Sequence, residues 1–295
     1  MLRRVGYGRH TFVTPQPERE VGVKHLDQRQ VRRPTVITGV ITAAIALAIT
    51  ACGGAGGGTA GAQAADDAAG CELPLGDDNP DDADGALVVM LDGTTSSAEE
   101  TDRVDDLVGL VDAATSDTSL TLSIGSFGGS DDEVRYSRCL DGDVFVPDGN
   151  NARTRERNRP ALIEGLKQEI TDLQGGYEAS DPTSALRAGV RRLDGVDGSR
   201  VLVIHTDGIA TAGCAALPDQ VNLSEPGLAE RLTDACVEAG QLPAADGVEI
   251  VIGGIGRTNQ DLSAESVAFL IELNTALCEA TGAACRVDPN LPSNL

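Results

Sequence analysis

The chain has 295 residues, of which 41% are hydrophobic, and this supplies one large domain with a sizeable core. Residues 52–295 carry 15 basic and 43 acidic side chains, a formal charge of −28, whereas residues 1–51 carry 8 basic and 3 acidic ones. An electrostatic field this negative repels phosphate groups. Aromatic residues make up only 2% of the chain, which leaves no stacking platform for bases. The composition therefore excludes nucleic-acid binding.

The first 51 residues have the pattern of an export signal. Three arginines between positions 29 and 33 precede an apolar segment, 36–51, which is short for a membrane-spanning helix. This segment runs into Ile49-Thr50-Ala51-Cys52, which resembles the lipobox of bacterial lipoprotein signals. The resemblance implies cleavage before Cys52, lipid on its thiol, and a protein anchored at the extracytoplasmic face of the cell membrane. An ordinary signal peptide or membrane anchor is the alternative.

Residues 52–85 form the next predicted segment. They are rich in Gly, Ala and Asp and have no apolar period, which is typical of a flexible linker between a lipid anchor and a domain. The folded domain is predicted to span residues 86–295.

The cysteines indicate an oxidising compartment. Of seven cysteines, six follow Cys52, and an even number outside the cytoplasm predicts three disulfides. Free buried thiols are the alternative. Proximity in sequence favours two pairs, Cys214 with Cys236 and Cys278 with Cys285, which leaves Cys71 with Cys139.

From residue 86 onward, strand-like apolar runs alternate with helical periods. The predicted strands are 86–91, 119–126, 201–205 and 248–252, with a less regular edge or hairpin at 136–146. Apolar positions at helical spacing predict five helices, around 104–111, 162–173, 186–193, 228–232 and 270–277. The alternation predicts an α/β fold: a doubly wound, mainly parallel sheet with helices on both faces.

Oxygen-bearing side chains follow two of these strands and precede the third helix. Asp92, Thr94 and Ser96 come directly after strand 86–91, and Asp207 follows strand 201–205. Ser180 lies in the loop before the third helix. Ligands bind at the carboxyl ends of strands in open α/β sheets, and hard divalent cations prefer oxygen ligands. The three turns therefore predict a Mg²⁺ site, with Mn²⁺ or Ca²⁺ as alternative ions.

The three turns resemble the metal-ion-dependent adhesion site of von Willebrand factor A (VWA) domains. In that family an Asp-x-Ser/Thr-x-Ser loop is joined by a Thr from a second loop and an Asp from a third. The resemblance covers roughly residues 86–285, and the positions that match are Asp92, Thr94 and Ser96 in the first loop and Asp207 in the third.

The second loop departs from the family pattern. Ser180 stands where the family has Thr, and Thr183 is the alternative second-loop ligand. The resemblance implies that the loop hydroxyls bind the ion directly, while the two aspartates act largely through water or partly directly. An ion held this way keeps a position open for a carboxylate from a partner.

These features predict a membrane-anchored, extracytoplasmic binding module that is not an enzyme. It holds an acidic group of a protein or cell-envelope partner through the ion, with Tyr177 and Glu178 as candidate partner contacts. One alternative is a metal-free, structural acidic envelope protein in which Asp92 and Ser96 only cap a helix.

A second alternative is a Mg²⁺-dependent phosphoryl-transfer or hydrolytic enzyme. It is disfavoured because phosphoryl transfer needs positive charge at the developing anion, and Lys167 is the only lysine after residue 51. His205 lies next to the predicted site and is interpreted as structural, since no nucleophile motif accompanies it.

Overall fold

The computed structural model describes residues 83–98, 102–115, 120–145, 152–218, 221–258, 262–292 and 295. The predicted export signal, Cys52 and most of the predicted linker lie outside these ranges. Among the described residues, no helix is both long and apolar enough to cross a membrane.

One sheet organises the described part of the chain. Its six strands there are β1 (Gly85–Asp92), β2 (Leu120–Phe127), β3 (Arg135–Phe145), β4 (Ser199–His205), β5 (Glu249–Gly253) and β6 (Ala284–Val287). They lie in the order β3-β2-β1-β4-β5-β6, and only the β2–β3 pairing is antiparallel. The chain moves to one side after β1 and to the other side after β4, so a crevice opens between the carboxyl ends of these two neighbours.

The helices connect the strands. Over the described ranges they are α1 (Thr95–Ala98), α2 (Arg103–Ala114), α3 (Ala152–Asp172), α4 (Pro182–Arg192), α5 (Leu228–Glu238) and α6 (Ala264–Glu279). Two of them begin at side-chain caps: the Asp181 carboxylate accepts a hydrogen bond from the Thr183 amide, and the Ser263 hydroxyl accepts one from the Ser266 amide. Pro182 adds a favourable first residue to α4, since its missing amide hydrogen is not needed there.

The core lies on both faces of the sheet. Leu87, Val89 and Leu91 of β1 pack into one apolar cluster with residues of α2 and α3. Val88 and Met90 point the other way, into a second cluster with residues of α4, α5 and α6. Every residue of β1 is buried, as expected of a strand covered on both faces. The predicted doubly wound, mainly parallel fold is confirmed.

The predicted strands and helices are confirmed, with strand boundaries displaced by one or two residues. The stretch predicted as an edge or hairpin is the single antiparallel edge strand β3. Sequence reasoning missed β6 and the one-turn helix α1. Both have four residues, which is too few to establish a hydrophobic period.

Two predicted disulfides are confirmed. Cys214 is bonded to Cys236, and Cys278 is bonded to Cys285. Cys139 is disulfide-bonded as well, while Cys71, its predicted partner, lies outside the described residues.

Candidate functional site

The ends of β1 and β4 bring two of the predicted loops together. Leu91 of β1 is paired with His205 of β4, so Asp92 and Thr206 lie at the same level of the sheet. The loop before α4 crosses the same edge, because the Asp181 amide donates a hydrogen bond to the carbonyl of Gly128, just after β2.

Asp92 is the hub of this edge. Its side chain is fully buried, and each carboxylate oxygen accepts two hydrogen bonds. Oδ1 accepts from the Thr94 amide at 3.0 Å and the Thr94 hydroxyl at 2.7 Å. Oδ2 accepts from the Ser180 hydroxyl at 2.9 Å and the Thr206 hydroxyl at 2.8 Å. Three loops therefore direct one hydroxyl each at a single carboxylate.

A capping role for Asp92 explains only part of this geometry. The bond from the Thr94 amide shapes the turn before α1, which begins at Thr95. The bonds from Ser180 and Thr206 come from loops 88 and 114 residues away in the sequence, and a local cap needs neither.

Ser180, rather than Thr183, reaches the hub. The Thr183 hydroxyl donates to Asp181 Oδ1 at 2.6 Å and is fully buried at the start of α4. Ser180 is 3% exposed and lines the same cavity as Thr94.

Asp207 approaches the site from the β4 side. It is 4% exposed, and its Oδ1 accepts a hydrogen bond from the Ile209 amide at 2.9 Å. It lines an open cavity of about 380 Å³ above Asp92, whose walls are formed by Thr94, Thr95, Gly176, Tyr177, Glu178, Ser180, Asp207, Ile209, Thr211 and Thr258.

The oxygen atoms that line this cavity are suitable ligands for a hard cation. A hydroxyl that donates its hydrogen to Asp92 keeps its oxygen lone pairs available to accept, and a positive ion needs those lone pairs. Thr94 and Ser180 supply such oxygens at the cavity wall, and Asp207 supplies a carboxylate. Among the described residues no group of three or more His, Cys, Asp or Glu side chains is placed to hold a metal.

Two further hydroxyl residues, Ser96 and Thr206, belong to the first and third loops. Ser96 belongs to α1, but its side chain lies outside the described part of the structure. Thr206 was not predicted as a site residue, although its hydroxyl contacts Asp92 and also accepts a hydrogen bond from the Gly208 amide at 3.1 Å. Its position directly before Asp207, at the end of a strand, was the available signal.

The two predicted partner contacts differ in exposure. Glu178 is exposed at the cavity, whereas Tyr177 is 8% exposed and packs over Gly93. A Cβ atom at position 93 would lie 2.4 Å from the Tyr177 ring, so this close approach requires glycine. The ring also lies 5.4 Å from the Arg135 guanidinium carbon. Glu178 is thus the more accessible of the two.

Two buried side chains, Arg103 and His205, lie near the end of the central strands behind Asp92. Arg103 is fully buried and donates from Nη2 to the backbone carbonyl of Asp92 at 2.7 Å, which secures the end of β1. His205 is 1% exposed. Burial lowers the pKa of His205 well below its ordinary value, and the positive charges of Arg103 and Arg257 lower it further. The imidazole is therefore neutral at pH 7.

This neutral histidine predicts acid sensitivity. As the pH falls below about 6.5, the unfolded chain binds a proton at His205 that the folded protein does not bind. Stability should then fall with a slope that approaches about 1.4 kcal/mol per pH unit below about pH 5.5. Urea unfolding between about pH 5 and pH 7, with chelator present, should show this slope in the wild type and a shallower one in His205→Gln. Equal slopes would show that His205 is protonated in the folded protein too.

Comparison with known proteins gives structural similarity only. No protein-family model matches the chain, and no curated protein matches it significantly. The human COPII-coat protein Sec24c is 13% identical with a TM-score of 0.37, over 70% of this chain and 30% of that chain. An aerotolerance-related membrane protein from Bacteroides fragilis is 13% identical with a TM-score of 0.35, over 70% of this chain and 92% of that chain.

BatB from Bacteroides thetaiotaomicron is 11% identical with a TM-score of 0.33, over 70% of this chain and 91% of that chain. This chain thus spans less than a third of the Sec24c chain but most of the two Bacteroides chains. At these values the similarities assign no function, and the fold is defined by the strand order described above.

Proposed function

We propose that the chain is a VWA-type binding module, anchored by lipid at Cys52 on the extracytoplasmic face of the cell membrane. In this proposal it uses a divalent cation, Mg²⁺ or alternatively Mn²⁺ or Ca²⁺, to hold a carboxylate of a protein or cell-envelope partner. The observation that carries the proposal is the convergence of three loop hydroxyls on buried Asp92, beneath a cavity that Thr94, Ser180 and Asp207 line.

Each residue has a separate task in this proposal. Thr94 and Ser180 offer hydroxyl oxygens, which Asp92 orients by accepting their hydrogens. Asp207 offers the negative charge at the cavity wall. When bound, the ion supplies positive charge and an open coordination position. A site with so few charged ligands leaves the ion able to attract a further carboxylate.

Charge determines how such a module would select its partner. Residues 52–295 carry a formal charge of −28 and repel acidic molecules at long range. At contact distance a bound cation would be the largest local charge and would reverse that repulsion in the cavity. Binding of an acidic partner should therefore require the ion rather than merely benefit from it.

The binding role is favoured over phosphoryl transfer by the cavity itself. Its described lining includes neither lysine nor arginine. Lys167 instead pairs with Asp105 at 2.8 Å, on the outer surface of α2 and α3. A transferring phosphoryl group would find no cationic side chain in this lining to neutralise it.

A metal-free structural role is the second candidate. It is favoured by one observation, the four hydrogen bonds that already satisfy the Asp92 carboxylate without an ion. The two candidates differ in their response to chelation, because only the binding module depends on an ion.

Partner capture tests the proposal. The purified protein, immobilised and incubated with envelope extract, should retain acidic partners in Mg²⁺ and release them in EDTA. Asp207→Asn protein should retain none under either condition, because the carboxylate that faces the cavity is lost. Asp234→Asn, on the exposed face of α5, is the matched control and should behave as wild type. A captured set that is the same with and without chelator would support the metal-free role instead.

Anchoring has its own test. If Cys52 carries the lipid, Cys52→Ser should leave an uncleaved precursor or a released form, and the wild type should partition with membranes. Cell fractionation and intact-mass measurement distinguish these forms. Unchanged fractionation and an unchanged N-terminal mass in the variant would contradict the lipid anchor.

A further inference from the structure

The loop that follows Asp207 contacts the second site loop through Ser180. We call residues 209–217 the strap. The Thr211 and Ala212 amides both donate to the Ser180 carbonyl, at 2.9 and 3.0 Å. In return, the Thr211 hydroxyl accepts a hydrogen bond from the Ser180 amide at 2.9 Å. The strap therefore occupies both backbone polar groups of the residue whose hydroxyl meets Asp92.

A hydrogen bond closes the strap, and two of its alanines are buried. The Leu217 amide donates to the Ala210 carbonyl at 2.9 Å, which closes the loop, and Ala210 and Ala215 are buried in the core. Gly213 has a φ of +77°, and a Cβ atom there would lie 2.4 Å from the Asp181 carboxylate. The strap and the second loop are thus in direct contact.

A disulfide joins the strap to a helix. Cys214, in the middle of the strap, is bonded to Cys236 of α5. The other disulfide with both partners described, Cys278–Cys285, joins the end of α6 to β6 and includes no strap residue. The Cys214–Cys236 disulfide therefore constrains the loop that continues from Asp207. The Cys278–Cys285 disulfide does not, so it serves as a control.

We infer that Thr211 is a positioning residue of the site, holding Ser180 so that its hydroxyl meets Asp92, and that the Cys214–Cys236 disulfide keeps Thr211 in place. The expected effect of Thr211 on ion binding rests on the proposed function. Its expected effect on the position of Ser180 does not. Residues that orient the ligands of a metal typically contribute about 10- to 100-fold to metal affinity.

The first experiment compares Thr211→Val with Thr211→Ser. Valine keeps the shape of threonine but cannot accept a hydrogen bond from the Ser180 amide, whereas serine can. We expect about tenfold weaker Mg²⁺ binding in the valine variant and near wild-type binding in the serine variant, measured by calorimetry with MgCl₂. Thr211 is exposed, so neither change removes core packing.

Amide hydrogen exchange separates positioning from direct ligation. In Thr211→Val the Ser180 amide should exchange faster, measured without metal. The Asp181 amide, which donates to Gly128 and not to the strap, should keep its wild-type protection. Unchanged exchange at Ser180 would overturn the positioning role, whatever the metal affinity.

The second experiment compares two disulfide variants. Cys214→Ala/Cys236→Ala should accelerate exchange of the Thr211 and Ala212 amides and weaken Mg²⁺ binding. Cys278→Ala/Cys285→Ala should leave both unchanged. Equal effects in the two variants, or none in the first, would overturn the role assigned to the disulfide.

The outcomes separate the inference from the proposed function. If the wild type binds Mg²⁺ and Thr211→Val binds it equally well, the inference is overturned and the proposed function stands. Absence of Mg²⁺ binding in the wild type would overturn the proposed function and the effect on the ion, while exchange at Ser180 would still decide whether Thr211 positions it.

Discussion

Replacing Asp92 with alanine should lower the free energy of unfolding by about 3 kcal/mol, even in the absence of metal. The carboxylate is fully buried and accepts hydrogen bonds from the Thr94, Ser180 and Thr206 hydroxyls. Its removal leaves these buried donors without their acceptor, at about 1–3 kcal/mol for each one that finds no substitute. Urea unfolding of chelator-treated protein measures the loss.

Asp234→Ala is the matched control for this prediction. Asp234 is exposed on α5, where alanine is a good helix former, so its replacement should change stability by less than about 0.5 kcal/mol. Wild-type stability in Asp92→Ala would mean that the hydrogen-bonded hub does not hold the three loops together. Asp92 is fully buried, which distinguishes it from a surface ligand whose loss the fold would tolerate.

Much of the fold could be predicted because the central strands are nearly continuous apolar runs. Residues 86–91 and 201–204 are buried on both faces, so an apolar side chain is favoured at every position. The strand Ala284–Val287 could not be predicted, because it has four residues, one of them β-branched, and is partly exposed at the sheet edge.

The loops of the site could be predicted from topology, but their hydrogen bonds could not. A turn directly after a parallel strand must lie at the carboxyl edge of the sheet, which placed Asp92 and Asp207. The contact of Thr206 with Asp92 depends on the β1–β4 register, in which Leu91 pairs with His205. No local pattern in the sequence specifies that register.

The sequence also could not predict which hydroxyl of the second loop contacts Asp92. Ser180 and Thr183 are three residues apart near the start of α4, and both carry hydroxyls. The structure separates them because Asp181 caps α4 and accepts a hydrogen bond from the Thr183 hydroxyl, which leaves Ser180 to face Asp92. That choice depends on which residue begins the helix, and helix ends are uncertain by one or two residues in any sequence analysis.

Asp207→Asn should differ from Asp92→Ala in its effect on stability: the fold is kept while ion binding is lost. Asparagine retains an Oδ1 atom that can accept the Ile209 amide, so the turn after β4 keeps its hydrogen bond. The substitution removes the negative charge from the cavity wall. Loss of a residue that only orients a metal ligand typically lowers metal affinity about 10- to 100-fold. Loss of the Asp207 carboxylate should therefore lower Mg²⁺ affinity by more than about a hundredfold.

The fold of this variant needs its own check. Circular dichroism and urea unfolding in the presence of chelator should match the wild type within about 0.5 kcal/mol. A large loss of stability would mean that Asp207 is part of the structural hub rather than a separate ion-binding group.

The central claim is that the cavity above Asp92 binds a divalent cation, and calorimetric titration of the purified protein with MgCl₂ tests it most directly. We expect a single-site isotherm in the wild type that disappears in Asp207→Asn and persists in Asp234→Asn. No heat attributable to a site in the wild type, or the same isotherm in the wild type and Asp207→Asn, would contradict the claim and leave the metal-free structural role.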